Sequence, residues 1–446
     1  MWQSLDGEIL DEEWETLLKY AARVREIAYH ASSVCGNGEA FLSNPVIHEL
    51  HKRNGGRPLF PKLRFLAWHR DLKRGPEDQI AYDRLLDILA SPDISAVSFW
   101  IPDRFVLGGA GDISDYDPGS DLGTIARRCP LLQEVHLRPN FCPDALLDFS
   151  TKIRLRTLKL GMDIVQSNVL DVLGQNLHVE ELCGSLSYEF GSLPQQPAAL
   201  GRLTGGLFPS LRRIHLAGTV VPYLTNLLAS VSSPVLTNVT VLGTHDYTSP
   251  EDVCLLIKAL STPHFACSLQ TITLSFDFEF MEDYQLQLVP FHFDPFLSPL
   301  LSLHNLRHLS LCMSVIIITV TDADVYRMAR AWPHAVTIGI GHGRTCRLFR
   351  HRTARYVDAP SPGPSVRALV ALAERCTKLV DLHCDVARAE EEDECALAEL
   401  CGARGWRGTR GVWSVKVETD RAHAGRIRER GGVANCLCYR ALLHNR

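Results

Sequence analysis

One short phrase recurs along the whole chain and limits the folds that it can adopt. The phrase consists of an apolar residue, two others, an apolar residue, one other and a final apolar residue. Because side chains alternate along a strand, this phrase buries one face of a short strand. Copies separated by 23 to 44 residues predict a repeat array rather than several compact domains. The twelve copies begin at Val24, Leu63, Ile94, Leu132, Leu155, Val179, Leu211, Leu236, Leu269, Leu306, Ala335 and Leu379.

Prolines support this register independently. Twelve random positions would hold fewer than one of the 24 prolines in 446 residues, yet six copies have a proline two residues before their start, at 61, 92, 130, 209, 234 and 333. Proline ends a helix and favours an extended residue before it, so we expect a helix to end and a strand to begin there. The segments between copies carry helix-start signals, such as Thr321-Asp322-Ala323-Asp324 and Ser249-Pro250-Glu251-Asp252. The chain is therefore predicted to be an α/β protein, an irregular leucine-rich-repeat solenoid with a curved parallel sheet on its concave side and helices on its convex side.

The repeat divides the chain into three parts. Residues 1–22 are predicted to form an N-terminal helix or cap, and residues 23–386 a solenoid of about twelve irregular repeats. Loop insertions are expected at 114–120 and 359–364. Residues 387–446 combine an acidic run with a basic, Gly- and Arg-rich tail, expected to be poorly ordered or a C-terminal cap. A basic tail can bind nucleic acid or anionic lipid, or it can pair with its own acidic neighbour, and nucleic acid is not the expected partner.

Composition excludes several classes of function. The formal net charge of -5 gives no strong attraction to nucleic acid or to an anionic membrane. Leu309 to Val320, the longest apolar-looking run, is far shorter than the roughly 20 residues of a membrane-spanning helix. The first residues are acidic rather than a basic start with an apolar core, so a cytoplasmic and/or nuclear protein without a membrane partner is expected. Fourteen cysteines without a C-x-x-C pair are expected to be reduced thiols and not metal ligands.

Motifs for catalysis and for cofactor binding are weak. Gly339-Ile340-Gly341-His342-Gly343 resembles a dinucleotide loop, but Arg344 occupies the position of the third glycine, and the segment is interpreted as a repeat strand. His48 and His51 share a helix face that is interpreted as solvated rather than metal-binding. We therefore expect no catalytic residue, no cofactor and no metal, and the chain is not predicted to be an enzyme.

The residues two, four and six positions after the first apolar residue of each copy should face the concave side. These 36 positions contain six of the 18 histidines, which indicates either a pH-responsive binding surface or simple tolerance of histidine at exposed strand positions. Large aromatic residues and arginines on the same face are typical binding hot spots. The candidate partner-binding residues are Phe65, His69, Trp100, His136, Arg138, Arg213, His215 and His308.

Several segments resemble fungal F-box proteins with irregular leucine-rich repeats. They are the acidic Trp14 helix, the Phe-Pro and Cys-Pro strand openers, the stretch from Asp322 to Pro333, and the stretch from Val366 to Cys376. The resemblance covers residues 12 to 386 and implies that the repeats select a substrate for a ubiquitin ligase. The F-box that would bind the ligase adaptor is expected to be absent, since about ten residues precede the Trp14 helix.

This resemblance predicts a monomeric protein-interaction module with an unidentified protein partner. A ubiquitin-ligase adaptor is expected as a partner only if an F-box exists upstream. The alternatives are a repeat-protein regulator of a GTPase or another enzyme, and a truncated, non-functional F-box relic.

Overall fold

The computed structural model describes fourteen segments of the chain, and these fall into two compact units. Unit 1 comprises residues 1–211 with 230–232, and unit 2 comprises residues 212–229 with 233–446. The described segments are 9–30, 42–69, 76–100, 118–137, 143–161, 167–185, 205–218, 221–243, 250–276, 289–313, 316–342, 364–384, 414–416 and 438–440.

Helices and strands alternate along both units. The α-helices are α1 (Asp11–Ala21), α2 (Asn44–Arg53), α3 (Pro76–Leu89), α4 (Pro118–Arg128), α5 (Pro143–Lys152), α6 (Ser167–Gly174), α7 (Val221–Ser230), α8 (Pro250–Leu260), α9 (Pro263–Ala266), α10 (Phe293–Phe296), α11 (Asp322–Ala331) and α12 (Val366–Arg375), with a 3₁₀ helix at Ser298–Ser302. The strands of unit 1 are β1 (Glu26–His30), β2 (Phe65–His69), β3 (Ala96–Trp100), β4 (Glu134–Leu137), β5 (Thr157–Leu160) and β6 (Glu181–Ser185). The strands of unit 2 are β7 (Arg213–Ala217), β8 (Asn238–Leu242), β9 (Thr271–Phe276), β10 (Val289–His292), β11 (His308–Met313), β12 (Ile316–Thr319), β13 (Thr337–His342), β14 (Asp381–Cys384), β15 (Ser414–Lys416) and β16 (Cys438–Arg440).

The strands that follow the recurring phrase pair in chain order and in parallel. In unit 1 the order is β1-β2-β3-β4-β5-β6, and in unit 2 it is β7-β8-β9-β11-β13-β14. Each of these twelve strands begins two residues after a predicted phrase start. Two minor pairs lie outside this pattern, β10 with β12 in parallel and β15 with β16 in antiparallel. The predicted fold class, an α/β array of leucine-rich-repeat type, is confirmed.

The core lies between the strands and the helices, where the apolar positions of the phrase meet. Leu63, Leu66 and Trp68 are at most 1% exposed. Leu269 and Leu274 occupy the equivalent positions of β9 and are fully buried. The alternation of side chains therefore has the predicted register, with the intervening residues on the opposite side of the strands.

A tight turn explains the prolines that precede the strands. The N–H of the first phrase residue donates to the carbonyl three residues earlier, which closes a β-turn. Proline then occupies the second position of that turn, where its fixed φ is favourable and its missing N–H costs nothing. The turns of this kind with proline run from Phe60 to Leu63, Ser91 to Ile94, Cys129 to Leu132, Phe208 to Leu211 and Trp332 to Ala335. Proline thus shapes the turn itself, and at Pro92, Pro130 and Pro333 this turn follows closely on the end of a helix.

Helix starts follow the predicted capping signals. The Thr321 side chain accepts a hydrogen bond from the N–H of Asp324, and the Asp324 carboxylate accepts one from the N–H of Thr321. This reciprocal pair is a capping box that satisfies two backbone donors at the start of α11. Helix α8 begins at Pro250, as its sequence predicts. Among the described residues, no helix is long and apolar enough to cross a membrane.

One predicted loop boundary is wrong. Residues 114–120 were expected to be a loop insertion, but Pro118, Gly119 and Ser120 form the first turn of α4. Proline suits the first helical position because its N–H would have no partner there in any case, so it starts this helix. The remainder of that insertion and all of 359–363 lie outside the described residues.

Candidate functional site

The side chains between the core positions lie on the opposite face of the strands, where most of them are half-buried or exposed. We call this surface the open face and treat the two units separately. The open face of unit 1 comes from β1 to β6, and that of unit 2 from β7, β8, β9, β11, β13 and β14. Seven of the eight candidate residues lie on these faces, and Arg138 lies outside the described residues.

Aromatic side chains are grouped at β2 and β3 on the open face of unit 1. His69 pairs with Trp100 in the strand register, and their ring centroids are 5.1 Å apart at an angle of 70°. Both rings are half-buried, as is Phe65 at the start of β2. The edge-to-face arrangement restricts both rings before any partner arrives. Three of the predicted residues are thus brought onto two neighbouring strands.

Polar contacts continue this surface across β3 and β4. The Ser98 hydroxyl lies 3.4 Å from Nδ1 of His136, which holds that imidazole against the neighbouring strand. Ser98 is 8% exposed although it lies on the open face, and the next strand places the larger, half-buried His136 beside it. His136 is therefore continuous with the aromatic pair, because it contacts Ser98, which lies on the same strand as Trp100.

An ion pair outside the predicted residues lies beside His136. Nζ of Lys159 on β5 is 2.5 Å from a carboxylate oxygen of Glu134 on β4. This hydrogen bond raises the pKa of Lys159 despite partial burial. Glu181 and Cys183 continue this polar surface on β6. Burial is the main cause that raises the pKa of the Cys183 thiol, and the nearby charge of Glu181 is the second. A thiol with a raised pKa is a poor nucleophile at neutral pH, so Cys183 contributes polarity and not reactivity.

The open face of unit 2 has a different character. Arg213 and His215 on β7 are exposed, and β8 and β9 continue the same rows with short amide and hydroxyl side chains. His308 on β11 is half-buried, and its Nδ1 lies 3.1 Å from the Thr337 hydroxyl of β13. These three predicted residues lie on a mainly polar face that also carries Asp381 and the exposed Leu242. The short side chains are Asn238, Thr240, Thr271, Thr273, Ser275 and Ser310.

The two weaker motifs of the sequence are structural in the described segments. Gly339 and Gly341 lie within β13 rather than in a phosphate-binding loop. On α2, His51 pairs with Asp87 at 3.6 Å, and His48 lies against Arg84, so both imidazoles join α2 to α3. Within the described segments, no group of three His, Cys, Asp or Glu residues is placed to hold a metal ion.

Burial is the main cause of the raised pKa of several cysteines in the described segments. Burial raises the pKa of Cys129 to about 12 and that of Cys376 to about 11, and the Cys376 thiol also donates to the carbonyl of Trp332 at 3.2 Å. Both thiols stay neutral in the folded chain at pH values where an unfolded thiol ionises. Their contribution to stability is complete below about pH 9 and falls as the pH rises toward 11 and 12.

We therefore expect these two thiols to react slowly with iodoacetamide at a pH of about 8, while exposed Cys267 reacts first. Peptide mapping by mass spectrometry after brief labelling measures this order. In denaturant, all three should react at similar rates, which serves as the control. Labelling of Cys129 as early as Cys267 in the folded protein would contradict its burial.

Comparisons with known proteins give a limited result. No protein-family model matches the chain, and no curated protein matches it. Solved structures with some similarity include the TLR13–ssRNA13 complex, at 14% identity and a TM-score of 0.29, which covers 74% of this chain and 44% of that chain. The leucine-rich repeat-containing protein LegL7 from Legionella pneumophila shares 13% identity at a TM-score of 0.32, with 93% and 99% covered. The Rad7 and Elc1 complex in yeast shares 14% identity at 0.25, with 77% and 92% covered.

This chain spans less than half of the TLR13 chain that it matches. All three TM-scores are low, so the assignment of fold rests on the order and register of the strands.

Proposed function

We propose that this chain is a non-catalytic module that recognises a protein partner through its open faces, as a substrate receptor of the F-box leucine-rich-repeat kind does. The observation that supports this most directly is the half-buried pair His69 and Trp100, with Phe65 on the same two strands. A link to a ubiquitin-ligase adaptor is part of the proposal only for a form of the protein that carries an F-box upstream of α1.

The arrangement on unit 1 suits a binding hot spot. Aromatic residues dominate binding energies because they bury a large area at a small cost in conformational entropy. The ring contact between His69 and Trp100 lowers that cost further, since both side chains are restricted in the free protein. The ion pair of Glu134 on β4 and Lys159 on β5 places two charged groups at the margin of this surface, and each already has the other as its hydrogen-bond partner. A partner with an apolar side chain at its centre and polar groups around it fits this surface.

The open face of unit 2 suits polar recognition. Its hydroxyl and amide side chains both donate and accept hydrogen bonds, and Arg213 adds a positive charge. His308 is oriented by Thr337, which leaves Nε2 as its other ring nitrogen for a partner. This face offers specificity through hydrogen bonds, whereas that of unit 1 offers apolar area.

The test uses the full chain as bait in an extract of cells that express it, followed by affinity measurements with the captured protein. We expect Phe65→Ala and Trp100→Ala each to weaken binding about 30-fold or more, which corresponds to hot-spot losses of about 2 kcal/mol. Circular dichroism on both variants checks that the fold is retained.

Leu147→Ala is the matched control. Leu147 is 41% exposed on α5, so its truncation also removes an accessible apolar side chain from unit 1, but from the helical side. Binding to this variant should equal that of the natural chain. If all three variants bind equally well, the open face of unit 1 is not the binding surface.

A further inference from the structure

The first repeat, formed by α1 and β1, leaves apolar side chains open to solvent. An apolar stripe runs from the N-cap residue Leu10 along α1 through Trp14, Leu17, Leu18 and Ala21. Ala21 is buried, Leu17 is half-buried, and the half-buried Trp14 ring lies against the guanidinium of Arg53. Leu10 is 65% exposed and Leu18 is 38% exposed. An apolar stripe on a surface helix normally packs against a core, so this one has the character of an incomplete interface.

Strand β1 is open in the same way. Its core-facing Ile27 is only half-buried, although Leu66, its neighbour in the register, is fully buried. On the open face, Ala28 is exposed, whereas its neighbour Ala67 is 7% exposed. In the described residues, β1 pairs with β2 alone and forms the first edge of the sheet. Such an edge is a template for another strand.

The direction of the backbone groups fixes which residues can extend the sheet. The carbonyl of Arg25 accepts from the N–H of Phe65, so it faces β2. Because these groups alternate from side to side along a strand, the N–H and C=O groups of Glu26, Ala28 and His30 point away from β2. Within the described residues, this edge of the sheet therefore presents three residues whose donors and acceptors point away from β2.

We propose that two copies of this chain associate through this edge, with β1 of each copy antiparallel to β1 of the other and a two-fold axis at Ala28. Ala28 then exchanges both backbone hydrogen bonds with its symmetry mate, and the backbone of Glu26 pairs with that of His30. On the core-facing side, Ile27 of one copy lies opposite Tyr29 of the other. A β-branched residue beside an aromatic one is a favourable cross-strand pair, so β1 is self-complementary.

The helices supply the rest of the interface. A two-fold axis normal to the sheet keeps both copies of α1 on the same side, beneath the paired strands. Two paired strands alone make a marginal contact, and a stable interface needs more buried apolar area. Leu10 and Leu18, the exposed members of the stripe, provide that area. This association leaves the open faces of both copies accessible and replaces the expectation of a monomer.

Light scattering during size-exclusion chromatography of the full chain, over a wide concentration series, tests the proposal. We expect the natural chain to have twice the mass of one copy, and Ala28→Lys to have the mass of one copy, because two lysines would meet at the axis. Ala28→Pro should also give one copy, since it removes an outward N–H without breaking any β1 to β2 hydrogen bond.

Thr240→Lys is the control, because it places the same charge at a half-buried open-face position of β8. This variant should remain a dimer. Hydrogen exchange should also show that the amides of Glu26, Ala28 and His30 become protected as the concentration of the natural chain increases. A natural chain that stays monomeric throughout the series would overturn the proposal, and a dimer that persists in both Ala28 variants would overturn this interface.

Discussion

Leu274→Asp is expected to unfold unit 2, whereas Thr273→Asp should leave it folded. Leu274 is fully buried, and its neighbours in the register are Val241 and Leu311. A carboxylate among these apolar neighbours should lower the free energy of unfolding by about 4 kcal/mol or more. A typical domain is stabilised by only about 5–15 kcal/mol, so this loss is a large share of the total. Thr273 lies on the open face and is half-buried, so an aspartate there keeps contact with water and should cost about 1 kcal/mol or less.

Urea unfolding of the two variants, followed by circular dichroism, measures this contrast. The substitutions lie on adjacent residues and introduce the same charge, so each is a control for the other. Equal losses in the free energy of unfolding would show that the register of β9 is displaced by one residue.

Trp68→Ala is expected to lower the free energy of unfolding of unit 1 by about 3–5 kcal/mol. Trp68 is 1% exposed, and its ring stacks on that of Tyr29 with centroids 5.1 Å apart. It also meets the ring of Tyr82 edge-on at 6.2 Å. Its indole N–H donates to the carboxylate of Asp121 at 3.1 Å, and that carboxylate is itself buried. The indole thus joins β2 to α4 by packing and by a charge-assisted hydrogen bond.

Trp68→Phe separates these two contributions. A phenyl ring keeps much of the apolar contact but removes the donor to Asp121, so the expected loss is about 1–3 kcal/mol. Trp100→Ala is the control, since this half-buried ring of β3 lies on the open face and should cost less than either variant. Unfolding followed by circular dichroism avoids dependence on tryptophan fluorescence. A larger loss for Trp100→Ala than for Trp68→Ala would reverse the assignment of the core side.

The repeat, its register and the starts of its strands could be predicted from sequence because each depends on residues close together in the chain. The apolar positions of β9 lie within six residues, and Pro61 acts on the turn that contains it. The start of α4 was missed because Pro118 and Gly119 are as common in loops as in the first turn of a helix. Local composition does not separate these two cases.

The candidate surface could be predicted only in part. Side-chain alternation placed Phe65, His69 and Trp100 on the open face, but the pair of Glu134 and Lys159 joins residues that are 25 positions apart. That contact follows only once the register of β4 against β5 is known. Glu134 lies opposite Thr157, and Lys159 lies opposite His136, so the ion pair is diagonal across the two strands. Its signal in the sequence is a pair of opposite charges at offsets that differ by two in adjacent copies of the phrase.

The order of the strands has a mechanical consequence. Within each unit, every described strand of the main sheet bonds only to the strands of the neighbouring repeats, so among these strands no hydrogen bond joins distant parts of the unit. Under tension applied at the ends of the unit, the described strands contain no long-range pairing that must break before the rest can extend. Repeats should unfold one after another from the pulled end and refold one by one when the force is relaxed. The extension of each unit should therefore increase in discrete steps, one for each repeat.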